Sequence, residues 1–136
     1  MSNPAVIENK ISQIRKYIGY LAVLKNHHKS QIENDIILRG ATERYLYLIS
    51  QAVIDLAEAV IAYKNFRKPA TMSECFYILE EEKIINENLL EQMIKMTGFR
   101  NVLAHDYFKI DFEIVFDVLH HKIRKVEEFV KIIEKI

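Results

Sequence analysis

An all-α, up-and-down bundle of four to five helices is the fold this 136-residue sequence predicts. Apolar residues recur at three- and four-residue steps along nearly the whole chain, the spacing of one helix face. No useful stretch alternates with period two, so no strand is expected. Only 3 Gly and 2 Pro leave few places for turns, so the elements must be long and their connections short. With 50% hydrophobic and 28% charged residues, the chain reads as one domain over 1–136. At this size a domain buries roughly 70% of its unfolded surface.

Each element has its own signal. Ser2-Asn3 ahead of Pro4 supplies a cap and a first-turn proline. A helix from about residue 4 to about 26 then carries Val6, Ile7, Ile11, Ile14, Ile18, Leu21 and Leu24 on one stripe. The polar run Asn26-His27-His28-Lys29-Ser30 closes it. A second pattern starts near Gln31 with Ile32, Ile36 and Ile37 and runs through Leu46, Ile49, Val53, Leu56, Ala57, Val60 and Ile61 to about Asn65. Gly40 interrupts it, and glycine costs about 1 kcal/mol against alanine inside a helix, so one long helix with its bend at Gly40 is expected. Pro69 ends the region, and Thr71 with Glu74 forms a T-x-x-E capping box for a short helix through about Glu82, with Phe76 and Leu79 inward. Asn86 caps a fourth helix, Glu87 to about Ala104, whose apolar residues are Leu89, Leu90, Met93, Ile94 and Met96. Asp111 caps the last, through Ile136, with Ile114, Val115, Val118, Leu119, Ile123, Val126, Phe129, Val130 and Ile133 as its stripe.

Composition narrows the function classes. The single cysteine, Cys75, excludes an internal disulfide framework and a cysteine-based zinc site, and reads as a small buried hydrophobe. With 19 basic and 19 acidic residues, no global field draws the chain to nucleic acid or membrane. The charge is uneven, however. Residues 1–29 set five basic side chains against Glu8, residues 30–91 set six against eleven acidic ones, and residues 92–136 set eight against seven. The first residues do not read as a signal peptide, and no apolar run approaches the roughly 18 residues a membrane span needs, so a cytoplasmic protein with no membrane partner is expected.

Phosphate-binding glycine loops, H-E-x-x-H, C-x-x-C and G-x-S-x-G are all missing. His27-His28 and His120-His121 are adjacent pairs, about 100° apart on a helix, and read as surface polar groups rather than chelators of one metal. No metal and no cofactor is expected. The informative segment is Gly98-Phe99-Arg100-Asn101-Val102-Leu103-Ala104-His105-Asp106-Tyr107. Asn101 and His105 are four apart and share a helix face, so Asn101 reads either as an orienting partner of the imidazole or as a helix-end hydrogen bonder. Arg100 and His105 are five apart, about 140° around the axis, and converge only if the chain unwinds or a second subunit completes the site. A helix C-terminus favours imidazolium, which suits His105 to acid–base work near neutrality. Arg100 offers a planar positive fork for a phosphate. The pair suits phosphodiester cleavage from a ribose 2′-hydroxyl, although by spacing alone an Arg and a His at a helix end are more often a structural cap or surface pair.

The segment resembles the R-x4-H-x-Y signature of HepT-type toxins, a branch of the HEPN superfamily, with every defining position present. Glu43-Arg44-Tyr45-Leu46 and Gln51-Ala52-Val53-Ile54-Asp55-Leu56-Ala57 resemble that family's second helix, Pro69 with Phe76 and Leu79 its middle, and Met96-Thr97-Gly98-Phe99-Arg100-Asn101 the approach to the motif. The resemblance spans roughly residues 4 to 135.

It implies a metal-independent endoribonuclease toxin, acting as a homodimer whose two motifs meet in a cleft, with Arg100 and His105 as the catalytic pair. It also implies an MntA-like nucleotidyltransferase antitoxin that attaches AMP to Tyr107; the alternative for Tyr107 is a core or interface tyrosine with its hydroxyl bonded. The basic ends of the chain could line the cleft and hold RNA. Arg44 and Asp55 lie eleven apart on the second helix, about 20° from facing the same way, and read as supports of the motif or as surface groups. A competing function is a non-catalytic module that binds a nucleotide or docks a nucleotidyltransferase.

Overall fold

A computed structural model describes residues 4–105 and 110–136, and every regular element among them is helical. The elements are α1 (Pro4–Lys25), α2 (Lys29–Asn34), α3 (Ile36–Tyr63), α4 (Met72–Glu81), α5 (Glu87–His105), α6 (Phe112–Asp117), a π-helical stretch Val118–Lys122, and α7 (Ile123–Glu134). The expected Ser2-Asn3 cap lies outside the described residues.

The long second helix is broken, but at Asp35 and not at Gly40. Asp35 leaves the helical conformation and its Oδ1 accepts from the amides of Ile37 at 2.9 Å and Leu38 at 3.2 Å. An aspartate that satisfies two orphan amides makes a better break than a glycine, which only lowers propensity. Gly40 lies inside α3. The break also overturns the expected roles of Ile36 and Ile37, which are 87% and 77% exposed. They occupy the first turn of the helix, on the side away from the core, which Leu38 and Ala41 begin to meet. Ile114 likewise leaves the expected core stripe, at 52% exposed.

Caps expected from sequence hold α4, α5 and α6 at their starts. Thr71 accepts from the Glu74 amide at 3.1 Å, Asn86 Oδ1 from the Leu89 amide at 2.8 Å, and Asp111 Oδ1 from the Glu113 amide at 2.9 Å. The Glu74 carboxylate reaches back one residue past the cap, to the Ala70 amide at 2.9 Å, and also pairs with Arg67 at 3.1 Å. α3 and α4 both close with a residue at positive φ, Asn65 at 57° and Lys83 at 60°. Phe66 and Ile84, the residues that follow, bond back to Ile61 at 3.0 Å and Leu79 at 2.9 Å, the wrapped ends of two Schellman motifs.

α3 is the central helix, packed against α1, α2, α4 and α5. It is long and apolar enough to cross a bilayer, which the sequence reading overlooked, but most of that apolar stretch is buried inside the bundle. Leu46, Ile49, Val53, Leu56 and Val60 are fully buried along it. Burial of each such side chain contributes about 1.5–3 kcal/mol. Phe76 of α4 meets Phe129 of α7 edge to face, with ring centroids 5.8 Å apart, and so ties the fourth element to the last. Cys75 is buried as expected.

Candidate functional site

The site is built on the contact between α3 and α5. Along α3, Tyr47, Gln51 and Asp55 follow one another at four-residue steps, so they share a face. All three are half-buried. Arg100 comes from the C-terminal half of α5 and meets this row. Its Nε donates to Gln51 Oε1 at 2.8 Å, its Nη1 donates to Asn101 Oδ1 at 2.9 Å, and its guanidinium carbon stands 5.4 Å from the centre of the Tyr47 ring. Nη2 makes a longer contact, 3.5 Å, with the Tyr47 hydroxyl.

Gln51 is itself fixed. Its Nε2 donates to Asp55 Oδ1 at 2.9 Å, and Lys10 Nζ of α1 reaches Asp55 Oδ2 at 3.5 Å. A relay therefore runs from Lys10 through Asp55 and Gln51 to Arg100. Its polarity is set at each end. The Asp55 carboxylate can only accept and the Arg100 guanidinium can only donate, so Gln51 turns its amide nitrogen to Asp55 and its oxygen to Arg100. Among the described residues Arg100 has only neutral partners. Its positive charge is held in place without being neutralised by a directly bonded carboxylate.

Asp55 thus reaches Arg100 through one intermediate side chain. Arg44 does something different. It is exposed, and its guanidinium stands 5.5 Å from the centre of the same Tyr47 ring. His105 is the last residue of α5 and is exposed. Asn101, also exposed, gives its side-chain oxygen to Arg100, and among the described residues no hydrogen bond joins it to His105. Tyr107 and Asp106 lie outside the described residues. Neither Tyr47 nor Gln51 is a site residue by sequence; the available signal is polar and aromatic residues at a stride of four on an otherwise apolar helix.

A cleft of about 390 Å³ adjoins this cluster, lined by Gly40, Glu43, Arg44, Tyr47, Leu103 and Ala104. A larger cleft of about 440 Å³, between the start of α1 and the end of α7, shares no residue with it. The histidine pairs contribute nothing to the cluster. His121 Nδ1 pairs with Asp117 at 3.0 Å on the surface. His120 is not the surface group the sequence reading expected: it is half-buried, its ring 4.2 Å from that of Phe116. It lies in the π-helical stretch, whose wider turn interrupts the expected continuous helix. Burial, with Lys25 and His121 nearby, holds its imidazole below the usual histidine range. Among the described residues no three His, Cys, Asp or Glu side chains gather as metal ligands.

The chain matches a known family. Residues 7–133 fit the family described as "Ribonuclease HepT-like". The chain belongs to that family. Two curated HepT proteins are similar to it over almost their whole length. The mRNA nuclease HepT of Shewanella oneidensis is 27% identical over 129 residues, covering 95% of this chain and 96% of that protein. The tRNA nuclease HepT of Aphanizomenon flos-aquae is 30% identical over 132 residues, covering 94% and 87%. Among solved structures, the tri-AMPylated S. oneidensis HEPN toxin in complex with MNT antitoxin superposes on this HepT-like chain with a TM-score of 0.90 at 27% identity, covering 98% of this chain and 99% of that one.

Proposed function

We propose that this HepT-like protein is the toxin of a toxin–antitoxin pair and a metal-independent endoribonuclease. The observation that carries the reading is the state of Arg100: a guanidinium fixed by Gln51 and Asn101, bonded among the described residues only to neutral groups, five residues ahead of an exposed His105 at a helix end. A fixed, uncompensated cation is what a developing phosphorane charge requires, because its position costs no reorganisation during the reaction.

In this mechanism His105 takes the proton from a ribose 2′-hydroxyl. The 2′-oxygen forms a bond to the adjacent phosphorus and the bond from phosphorus to the 5′-oxygen breaks. A second imidazole gives the leaving oxygen its proton, and the products are a 2′,3′-cyclic phosphate and a 5′-hydroxyl. One chain offers one such histidine in the motif, so the second comes from His105 of the partner subunit in a homodimer. Arg100 stabilises the charge on the non-bridging oxygens. Asn101, Gln51 and Asp55 hold Arg100.

The antitoxin is a nucleotidyltransferase, and Tyr107 is the acceptor of AMP. The likeness to a tri-AMPylated toxin bound to an MNT antitoxin supports this. An adenylylated phenol two residues past His105 in the sequence adds a phosphate to the motif, and competition between that phosphate and RNA for Arg100 is the proposed route of neutralisation.

The test is cleavage of RNA and growth arrest by the wild-type protein, both lost in His105→Ala. A His105→Ala protein that still cleaves removes the site assignment. Loss of neither growth nor RNA on expression, with the antitoxin still bound, supports the non-catalytic module. Sedimentation at micromolar concentration checks the shared cleft, which requires a species of about twice the 16.1 kDa chain mass.

A further inference from the structure

Arg44 and Tyr47 are left without a role by the mechanism above, yet they stand beside its central residue. The Tyr47 ring carries two guanidinium groups, Arg44 at 5.5 Å and Arg100 at 5.4 Å from its centre. The two cations share one ring, although they come from different helices. Like charges gathered this way repel unless an anion joins them. Among the described residues, no carboxylate lies within ion-pair distance of either. The acid that lines the same cleft, Glu43, is committed elsewhere: its carboxylate is nearly fully buried and accepts from Arg39 Nε at 3.2 Å. The cleft thus presents uncompensated positive charge on one wall and the apolar edge of Leu103 and Ala104 on the other. Ala104 leads directly into His105. At about 390 Å³ the space is within the range of small-ligand sites.

We propose that Arg44, Tyr47 and the cleft they line form a subsite for single-stranded RNA, in which Arg44 binds the phosphodiester next to the one Arg100 holds. The inference rests on the ribonuclease reading and extends it to how substrate is gripped. Tyr47 is a positioning residue: its ring fixes both planar cations by cation–π contact and sets their spacing. Arg44, exposed and without a carboxylate partner among the described residues, releases a counterion when it takes a phosphate.

The test is equilibrium binding of a fluorescent 2′-O-methyl oligoribonucleotide, which lacks the 2′ nucleophile, measured across a range of salt. Arg44→Gln is expected to weaken binding about tenfold, the loss of one charge-assisted contact, and to reduce the slope of log affinity against log salt by about 0.7. Arg44→Lys keeps the charge and is expected to restore the slope. Tyr47→Phe keeps the ring and is expected to bind as wild type, whereas Tyr47→Ala weakens binding although Arg44 is intact. Thermal melts of each variant establish that it is folded. An unchanged slope in folded Arg44→Gln, or no binding of the oligonucleotide by the wild type, overturns the subsite. Tight binding of free AMP that depends on Arg44, with RNA binding indifferent to it, overturns it too and assigns the pair to a mononucleotide. Because the probe cannot be cut, the two readings fail separately. Arg44-dependent binding without cleavage of ordinary RNA removes the nuclease and leaves the subsite, and cleavage with an unchanged Arg44→Gln slope does the reverse.

Discussion

Arg100 Nε donates to Gln51 Oε1 at 2.8 Å across the α3–α5 contact, so the cation of the motif is held by a residue 49 positions earlier in the chain. A hydrogen bond to a charged group contributes about 1.5–3 kcal/mol when both partners are ordered. Its role here is directional. It fixes the Nε edge of the guanidinium, while Nη1 is held by Asn101 and Nη2 lies 3.5 Å from the Tyr47 hydroxyl.

Gln51→Leu should therefore lower kcat for RNA cleavage about tenfold or more while moving KM much less, because Arg100 acts mainly on the charge of the transition state. Gln51→Glu should not rescue it. That change keeps an acceptor for Arg100, loses the donor to Asp55, and sets two carboxylates against each other. Steady-state kinetics on a defined oligonucleotide read the split; equal effects on both constants would point to a structural role alone.

Asp55 acts one step further away, so Asp55→Asn should reduce cleavage less than Gln51→Leu. Its effect on stability should stay below about 1 kcal/mol, since the Lys10–Asp55 pair is long at 3.5 Å and about a third exposed. Urea unfolding and the same kinetics check both halves. A larger loss of activity than Gln51→Leu would reverse the order of the relay.

The legible part of this protein is what local chemistry writes. Capping residues Thr71, Asn86 and Asp111 start the helices where expected, and the stripe of α3 is buried from Leu46 onward. Arg100 and His105 stand out because five polar and aromatic types crowd one short segment. The partners of Arg100 do not stand out. Tyr47 and Gln51 are ordinary helix residues until packing brings α5 against them, a long-range event with no local signature. The break at Asp35 was misplaced for a related reason: Gly40 carries a propensity cost, but the capping bonds of Asp35 outweigh it. The π-helical stretch around His120 has no signal of comparable strength.

Lys83 closes α4 at a φ of 60°, a conformation that strains a side chain with a Cβ. Lys83→Gly should raise stability by about 0.5–1 kcal/mol, the relief of that strain less the extra freedom of glycine in the unfolded chain. Chemical denaturation measures it, and a destabilised variant would contradict the assigned helix end.

Burial, reinforced by Glu58 and Glu74, pushes the Cys75 thiol up to about 11 from an ordinary value of 9.0. The folded state then keeps this proton longer than the unfolded state. Below about pH 9 the group leaves stability unchanged; stability falls as pH rises from about 9 toward about 11. Cys75→Ala should flatten that fall, and iodoacetamide at pH 8 should label Cys75 in urea but not in the folded protein. Rapid labelling of folded protein would contradict its burial.

The most direct measurement of the central claim is cleavage of a defined RNA in EDTA, with analysis of the product ends, comparing wild type with Arg100→Lys and His105→Ala. The account predicts cleavage by the wild type alone, leaving 2′,3′-cyclic phosphate and 5′-hydroxyl ends. Arg100→Lys should be strongly impaired although its charge is kept, because a single ammonium cannot bond Gln51 and present a fork at once. Cleavage that requires a divalent metal, that survives His105→Ala, or that leaves 5′-phosphate ends would contradict it.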